Sequence, residues 1–377
     1  MRLAGKILCL VAASLLLSCS PAPDLVTMLV GTYSSDDGGG IYAFRFVQRT
    51  GKVISGVQGH ADLRDASYLT TSNDGSRIYA VSERPDSTAA LTAFSFDPKE
   101  LSFGLLGISP TLGEDPCFVE TNGRIAVTAN YSGGSVSVFR LDEDGGLEDA
   151  LPSQVLHGTV GGPDQTRQSA PHEHCTVFTP DGDYLLASDF SADRIICYSV
   201  DGDSLKEYSD VRLENDYGPR HIIFRDGKTA YVIGELSGKI TVLDYSEGIL
   251  IPKQVIDCDP VHARGSADIR MTPDCRFLFA SNRLENDGVA VFRVNGDGTL
   301  EQTSYTPTGI HPRNICVSPD GRFLLVACRD SNRIEVYSIG EEDGRLEKAA
   351  DDINVPKPVC IKFIQCKELH SSTGSAS

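Results

Sequence analysis

One pattern recurs six times along this chain and leaves few folds open to it. An apolar run of strand length meets a tight turn, usually Asp-Gly, and a second apolar run follows. The copies are SYLTTSNDGSRIYAVSE (67–83), CFVETNGRIAVTANY (117–131), HCTVFTPDGDYLLASDF (174–190), RHIIFRDGKTAYVIGEL (220–236), DIRMTPDCRFLFASNR (268–283) and RNICVSPDGRFLLVACRD (313–330). The turn residues Asp74, Asn122, Asp181, Asp226, Asp274 and Asp320 are spaced by 48, 59, 45, 48 and 46 residues. Turn residues of this kind between two strand-like runs specify a β-hairpin.

A second hairpin follows most copies. Examples are SADRIICYSV (191–200), SGKITVLDY (237–245) and SNRIEVYSI (331–339). Four strands in 45–50 residues is the size of a propeller blade. Six motifs give six blades. Strands at 27–34 and 40–46, with KPVCIKFI (357–364), supply a seventh built from both ends of the chain. Joining the termini in one blade closes the ring and leaves no open edge between blades. The expected fold is therefore all-β: a seven-bladed propeller over residues 27–366, with four antiparallel strands per blade and a Ser-rich, disordered tail from 367 to 377.

The hairpins also predict where chemistry collects. If the Asp-Gly turns lie at one end, the residues before the first run and after the second gather at the other, around one mouth of the channel. That set includes Glu83, Tyr131, His174, Arg220, Glu235, Asn282, Arg283, Arg313 and Arg329. Ionisable side chains at one rim of an apolar body suit a small-molecule site. A rim of merely solvated strand ends is the plainer alternative.

Composition narrows the ligand. The net charge of −18 disfavours nucleic acid. An anionic ligand needs a local cluster of arginines to overcome that field, and the rim supplies one. The N-terminus reads as a targeting segment: Arg2 and Lys6, an apolar run from Ile7 to Leu17 too short to span a bilayer, then Leu-Leu-Ser-Cys ending at Cys19. This resembles a bacterial lipobox. It implies a signal peptide over 1–18, lipid on Cys19, a tether over 19–26 and a soluble body held at the cell envelope by its acyl chains. Nine of the eleven cysteines then remain, an odd number, most of them within apolar runs. No CxxC pair signals zinc or redox chemistry, and no cofactor is implied. His172 and His174 share a strand face but lack a neighbouring third metal ligand.

Several segments resemble a known family. Arg167-Gln168-Ser169-Ala170-Pro171-His172-Glu173-His174 is similar to the RQ…PHxH segment of the propeller-type bacterial 6-phosphogluconolactonases. Gly218-Pro219-Arg220-His221, Glu235-Leu236, Ser266-Ala267-Asp268-Ile269, Ala280-Ser281-Asn282-Arg283 and Pro312-Arg313-Asn314 resemble that family's other motifs, in its order. The resemblance covers essentially the whole body and extends to the carboxy-muconate lactonizing enzymes. It implies a lactonase whose active site falls on His174, Arg220, Glu235 and Arg283. His172, Arg167, Gln168, Glu83, Tyr131, Asn282 and Arg313 would bind substrate.

Lactone hydrolysis needs an activated water, a partner for the oxyanion and a proton for the departing alkoxide. The expected roles are Glu235 or His174 as base, with Arg220 and Arg283 on the oxyanion and the acidic group of a small anionic lactone. Arg220 and Glu235 as a structural salt bridge is the alternative. A cycloisomerase would use the same residues, and a non-enzymatic binding propeller would fill the channel with mutual ion pairs. Export conflicts with 6-phosphogluconolactone, which is made in the cytoplasm. Either the N-terminal segment is no signal, in which case the protein is cytoplasmic, or the substrate is another lactone. A closed propeller needs no partner, so a monomer is expected.

Overall fold

The computed structural model describes residues 24–36, 38–60, 62–156 and 161–364. The signal segment, Cys19, most of the tether, Cys366 and the tail lie outside the described residues. Seven antiparallel sheets follow one another around a ring, and all but the last contain four strands. Blade 1 is the composite one. The chain start supplies Leu25–Ser35, Gly38–Val47 and Lys52–His60, and Pro358–Ile364 returns to pair with Leu25–Ser35 as the innermost strand. The propeller thus begins at Leu25, two residues before the expected boundary. Blades 2 to 7 start at their innermost strands: Leu69–Thr71, Pro116–Thr121, Glu173–Phe178, Pro219–Phe224, Ser266–Met271 and Pro312–Val317. In blade 7 the outer strand is interrupted, so Leu346–Lys348 and Ile353–Asn354 both pair with Arg333–Ile339. The only helix among the described residues is a single 3-10 turn, Arg329–Ser331. No described helix is long and apolar enough to cross a membrane.

Burial explains the sequence pattern. Second strands such as Ile125–Asn130 and Phe323–Cys328 are buried at every position, because each lies between two neighbouring sheets. Outer strands such as Ser204–Arg212 are largely exposed and carry charge or proline, which discourages edge-to-edge pairing. The core is accordingly a set of apolar layers between blades. Tyr231, Val242 and Ile240 meet Leu278 and Phe292 between blades 5 and 6. Phe46 and Met28 meet Leu325 and Val336 between blades 7 and 1, which closes the ring.

The predicted turns form as read. In all six inner hairpins the Asp or Asn side chain accepts the backbone N–H two residues on. In four hairpins the next residue is a glycine at positive φ. In the fifth that place holds Cys275, at φ 58°. The eight described cysteines are free thiols, six of them buried.

Candidate active site

At the open ends of the inner hairpins the strands are irregular in a repeated way. A β-bulge falls near the start of the innermost strand in blades 3 to 7. Each bulge frees one or two residues of the inner strand from regular pairing: Cys117 in blade 3, His174 and Cys175 in blade 4, Arg220 and His221 in blade 5, Ala267 and Asp268 in blade 6 and Arg313 in blade 7. A bulge bends its strand and re-aims a side chain. Of these residues, Cys117, His174 and Arg313 line a cavity of about 360 Å³. Glu83, Tyr131, Arg167, Glu235, Arg264, Arg283, Leu284 and His311 complete the wall.

Glu235 organises one side. Its Oε1 accepts from Arg167 Nη2 at 2.6 Å. Its Oε2 accepts from Arg220 Nε at 2.8 Å and faces Arg283 Nη2 at 3.0 Å. Gly218, at φ 58°, turns the chain so that Glu235 donates its N–H to the Gly218 carbonyl, which sets Arg220 beside the carboxylate. Burial pushes the Glu235 carboxyl up, but Arg283, Arg220 and Arg167 outweigh it and hold the group far below the usual range. Burial, with crowding by Arg220 and Arg313, brings Arg283 down to about 9 despite Glu235.

A buried layer supports this side. Arg220 Nη1 donates to the Ala267 carbonyl and lies 3.2 Å from His221 Nε2. His221 Nδ1 lies 2.7 Å from Asp268 Oδ1, and Asp268 also accepts from Asn314 and from the Ile269 and Ile315 amides. The carboxylate fixes the ring with Nδ1–H, leaving Nε2 to accept from Arg220. Burial and Arg220 bring His221 down to about 3.

The opposite side is less saturated. Glu83 Oε1 accepts from Tyr33 Oη at 2.7 Å. Its Oε2 has no hydrogen-bond partner among the described residues and lies 3.7 Å from Arg313 Nη2. Arg313 packs over the Tyr33 ring, 5.3 Å from its centroid. Between the two sides His174 is neutral, held well below its ordinary value by burial, Arg220, His221 and Arg313. The Cys117 sulfur lies 3.7 Å from His174 Nδ1, and burial with Glu83 pushes the thiol well up.

Residues 27–363 match the family described as "Lactonase, 7-bladed beta-propeller". The chain belongs to this lactonase family. It is 32% identical to the 6-phosphogluconolactonase of Bacillus subtilis over 89% of this chain and 97% of that protein. A solved protein of Bacteroides uniformis is 50% identical, with a TM-score of 0.87 over 90% of this chain and all of that one. A solved periplasmic gluconolactonase of Pseudomonas aeruginosa is 29% identical, with a TM-score of 0.83 over 90% and 99%.

The lining of this cavity differs in part from the sequence expectation. His174, Glu235, Arg283, Glu83, Tyr131, Arg167 and Arg313 do converge on one cavity. Arg220 does not face it, being 1% exposed behind Glu235. Gln168 and Asn282 are not wall residues either. Gln168 bonds Asp193 and the Phe190 carbonyl, and Asn282 bonds Ser266 and the Cys258 carbonyl. His172 sits one layer out, stacked on Tyr131 at 4.2 Å. Glu235 is a poor candidate for the base expected of it, since both oxygens hold guanidinium groups.

Cys117, Arg264, Leu284 and His311 escaped the sequence reading. Arg264 lies on a connection rather than a strand end, tied to Asp164 at 2.6 Å and to Asp216. His311 immediately precedes the recognised Pro-Arg-Asn motif. Burial, Arg283 and Arg329 bring it down to about 3. Among the described residues no group of three His, Cys, Asp or Glu side chains is arranged to hold a metal ion.

Proposed function

We propose that this lactonase opens the ring of an anionic sugar-acid lactone, with its body outside the cytoplasm and a lipid on Cys19. The observation that carries the substrate reading is the charge of the cavity. Four arginines line it against two carboxylates, in a protein of net charge −18. Arg264 is committed to Asp164 and Asp216, whereas Arg167 and Arg283 share the single charge of Glu235. This corner keeps a positive surplus in a confined, partly dry site, where charge is weakly screened. Glu235 thus acts as a clamp that pre-orients guanidinium groups for a phosphate or carboxylate on the substrate.

A lactone with a phosphate fits by its charge, as the name of the Bacillus subtilis relative suggests, and a carboxylated lactone fits equally. The export reading favours a lactone met outside the cytoplasm, in keeping with the periplasmic gluconolactonase neighbour. The test is a pH-stat assay of the purified protein on phosphorylated, carboxylated and neutral aldonolactones. Hydrolysis above the spontaneous rate, fastest on the charged substrates, is expected. Preference for neutral lactones would refute the anionic reading, and no hydrolysis of any lactone would refute the activity. Cys19→Ala is expected to move the protein from the membrane pellet to the soluble fraction.

A further inference from the structure

We infer that the reacting carbonyl sits at the Glu83–Arg313 side of the cavity, with Glu83 as the base that activates water and Arg313 as the group that holds the oxyanion. The inference rests on the lactonase reading and assigns the chemistry within it to a pair other than His174 and Glu235.

The two sides of the cavity differ in spare hydrogen-bonding capacity. A base must have an unfilled lone pair, and an oxyanion donor must have an uncommitted N–H. Glu235 has neither oxygen free, because three guanidinium groups occupy them. Glu83 holds one hydroxyl, that of Tyr33, and its Oε2 accepts no hydrogen bond among the described residues. The arginines divide the same way. Arg167 and Arg283 donate to or pair with Glu235, and Arg264 with Asp164 and Asp216. The Arg313 guanidinium donates no hydrogen bond to the described residues. It faces Glu83 at 3.7 Å, rests on Tyr33 and is 15% exposed in its side chain.

The Glu83 Oε2 is shut off from solvent without a hydrogen bond, a state that is costly to maintain, and Arg313 pairs with it only loosely at 3.7 Å beside the same cavity. A ligand with an acceptor and a donor close together satisfies both. A lactone carbonyl and an attacking water are such a pair. The neighbouring thiol of Cys117 stays protonated and is no competing nucleophile.

The step balances without any co-reactant. Water passes a proton to Glu83 as its oxygen bonds the carbonyl carbon, and the carbonyl electron pair moves to the oxygen facing Arg313. Collapse of the tetrahedral centre restores the C=O bond and breaks the ring C–O bond. The departing alkoxide takes the proton from Glu83. One water is consumed and a hydroxy acid is released, which ionises to solvent.

The groups that face Glu83 come from three blades: Tyr33, Arg313 and Cys117, with His174 and Glu235 across the cavity. The test uses the full chain and the best lactone from the panel. Glu83→Gln is expected to lower kcat by about 100-fold or more while KM stays within about threefold. Formate added to Glu83→Ala should restore part of the rate, which a purely structural residue would not allow. Tyr33→Phe removes the hydrogen bond that orients the carboxylate, so kcat should fall with little change in KM. Arg313→Lys should lower kcat with little change in KM.

Retained kcat with a raised KM in Glu83→Gln would make Glu83 a substrate anchor and overturn the assignment. So would the absence of formate rescue in Glu83→Ala. Thermal unfolding of each variant separates these results from misfolding, and formate rescue with Tyr33→Phe decides the matter if Glu83→Gln does not fold. A wild type inactive on every lactone would refute the lactonase reading itself, a result distinct from an active wild type with an active Glu83→Gln.

Discussion

Both ends of the inner hairpins carry polar residues and use them in opposite ways. At the turn end, Asp74, Asp274 and Asp320 accept their own backbone amides two residues on. These bonds are local and near water. At the open end, Glu235 and Asp268 gather partners from elements far apart in sequence and are themselves buried, with all of these partners buried too except the half-exposed Arg167. The turn end specifies the hairpin. The open end uses bulges to leave regular pairing and concentrate charge. A strand end therefore becomes a site when its polar groups are desolvated together, and polarity alone does not make one.

Breaking the open end should have the largest effect. Glu235→Gln leaves Arg167, Arg220 and Arg283 around a neutral amide. Removing one partner of a buried ion pair typically costs about 3–5 kcal/mol, and urea unfolding should show a loss of that order. A loss no larger than at a turn would mean that water already screens the clamp. The pH dependence has a definite sign. The folded carboxyl is depressed, so its contribution is complete above the unfolded glutamate value of about 4.3 and is lost as pH falls below it. Glu235→Gln should flatten the acid side of the stability profile.

The histidines of the open end sharpen the comparison at milder pH. His221 and His311 are both brought down to about 3, chiefly by burial and nearby arginines. Their neutral forms belong to the folded state. The unfolded chain takes up their protons near pH 6.5, so the stability they contribute is full above that value and declines as pH falls towards 3. Glu173 works in the other direction, since burial and Asp189 push its carboxyl well up. The informative quantity is thus a difference between variants. Between pH 7.5 and 5, His221→Gln and His311→Gln should each lose less stability per pH unit than the wild type. Equal slopes would mean that these rings can be protonated in place.

The turn end should respond more weakly. Asp181 accepts from Thr179 Oγ1 at 2.6 Å, from the Asp183 amide at 3.1 Å and from Tyr245 Oη at 2.7 Å. Asp181→Ala leaves the tyrosine hydroxyl and the amide within reach of solvent. A loss of about 1 kcal/mol is expected, with lactone hydrolysis unchanged. A loss matching that of Glu235→Gln would erase the distinction between the two ends.

The same difference explains what the sequence made legible. Hairpins, blade count and the composite blade follow from period and turn chemistry, which are local, and the structure has each of them. So does the choice of rim, because it depends only on counting residues from a turn. What escaped was long-range. Nothing near Gln168 or Asn282 in sequence reveals that Asp193 or Ser266 will consume its hydrogen bonds. Arg220 reads as a site residue from its motif, yet its position behind Glu235 depends on the turn at Gly218 and the carbonyl of Ala267. Arg264 lies on a connection that obeys no repeat. Family resemblance helped with types of residue and erred on which of them face the cavity.

The smallest expected effect has the opposite sign and lies at the turn end. Cys275 stands where four equivalent hairpins place a glycine at positive φ, and it adopts φ 58°. A residue with a Cβ pays about 1 kcal/mol or more for the left-handed region. Its sulfur recovers little, meeting the Arg225 carbonyl at 3.6 Å and the Pro273 carbonyl at 4.0 Å. Glycine removes the strain but adds freedom to the unfolded chain, which offsets part of the gain. Cys275→Gly should therefore stabilise the protein by about 0.5 kcal/mol, seen as a higher urea midpoint at unchanged slope. A lower midpoint would show that the thiol contacts outweigh the backbone. The turn end would then, like the open end, hold its shape through side chains and not through backbone geometry.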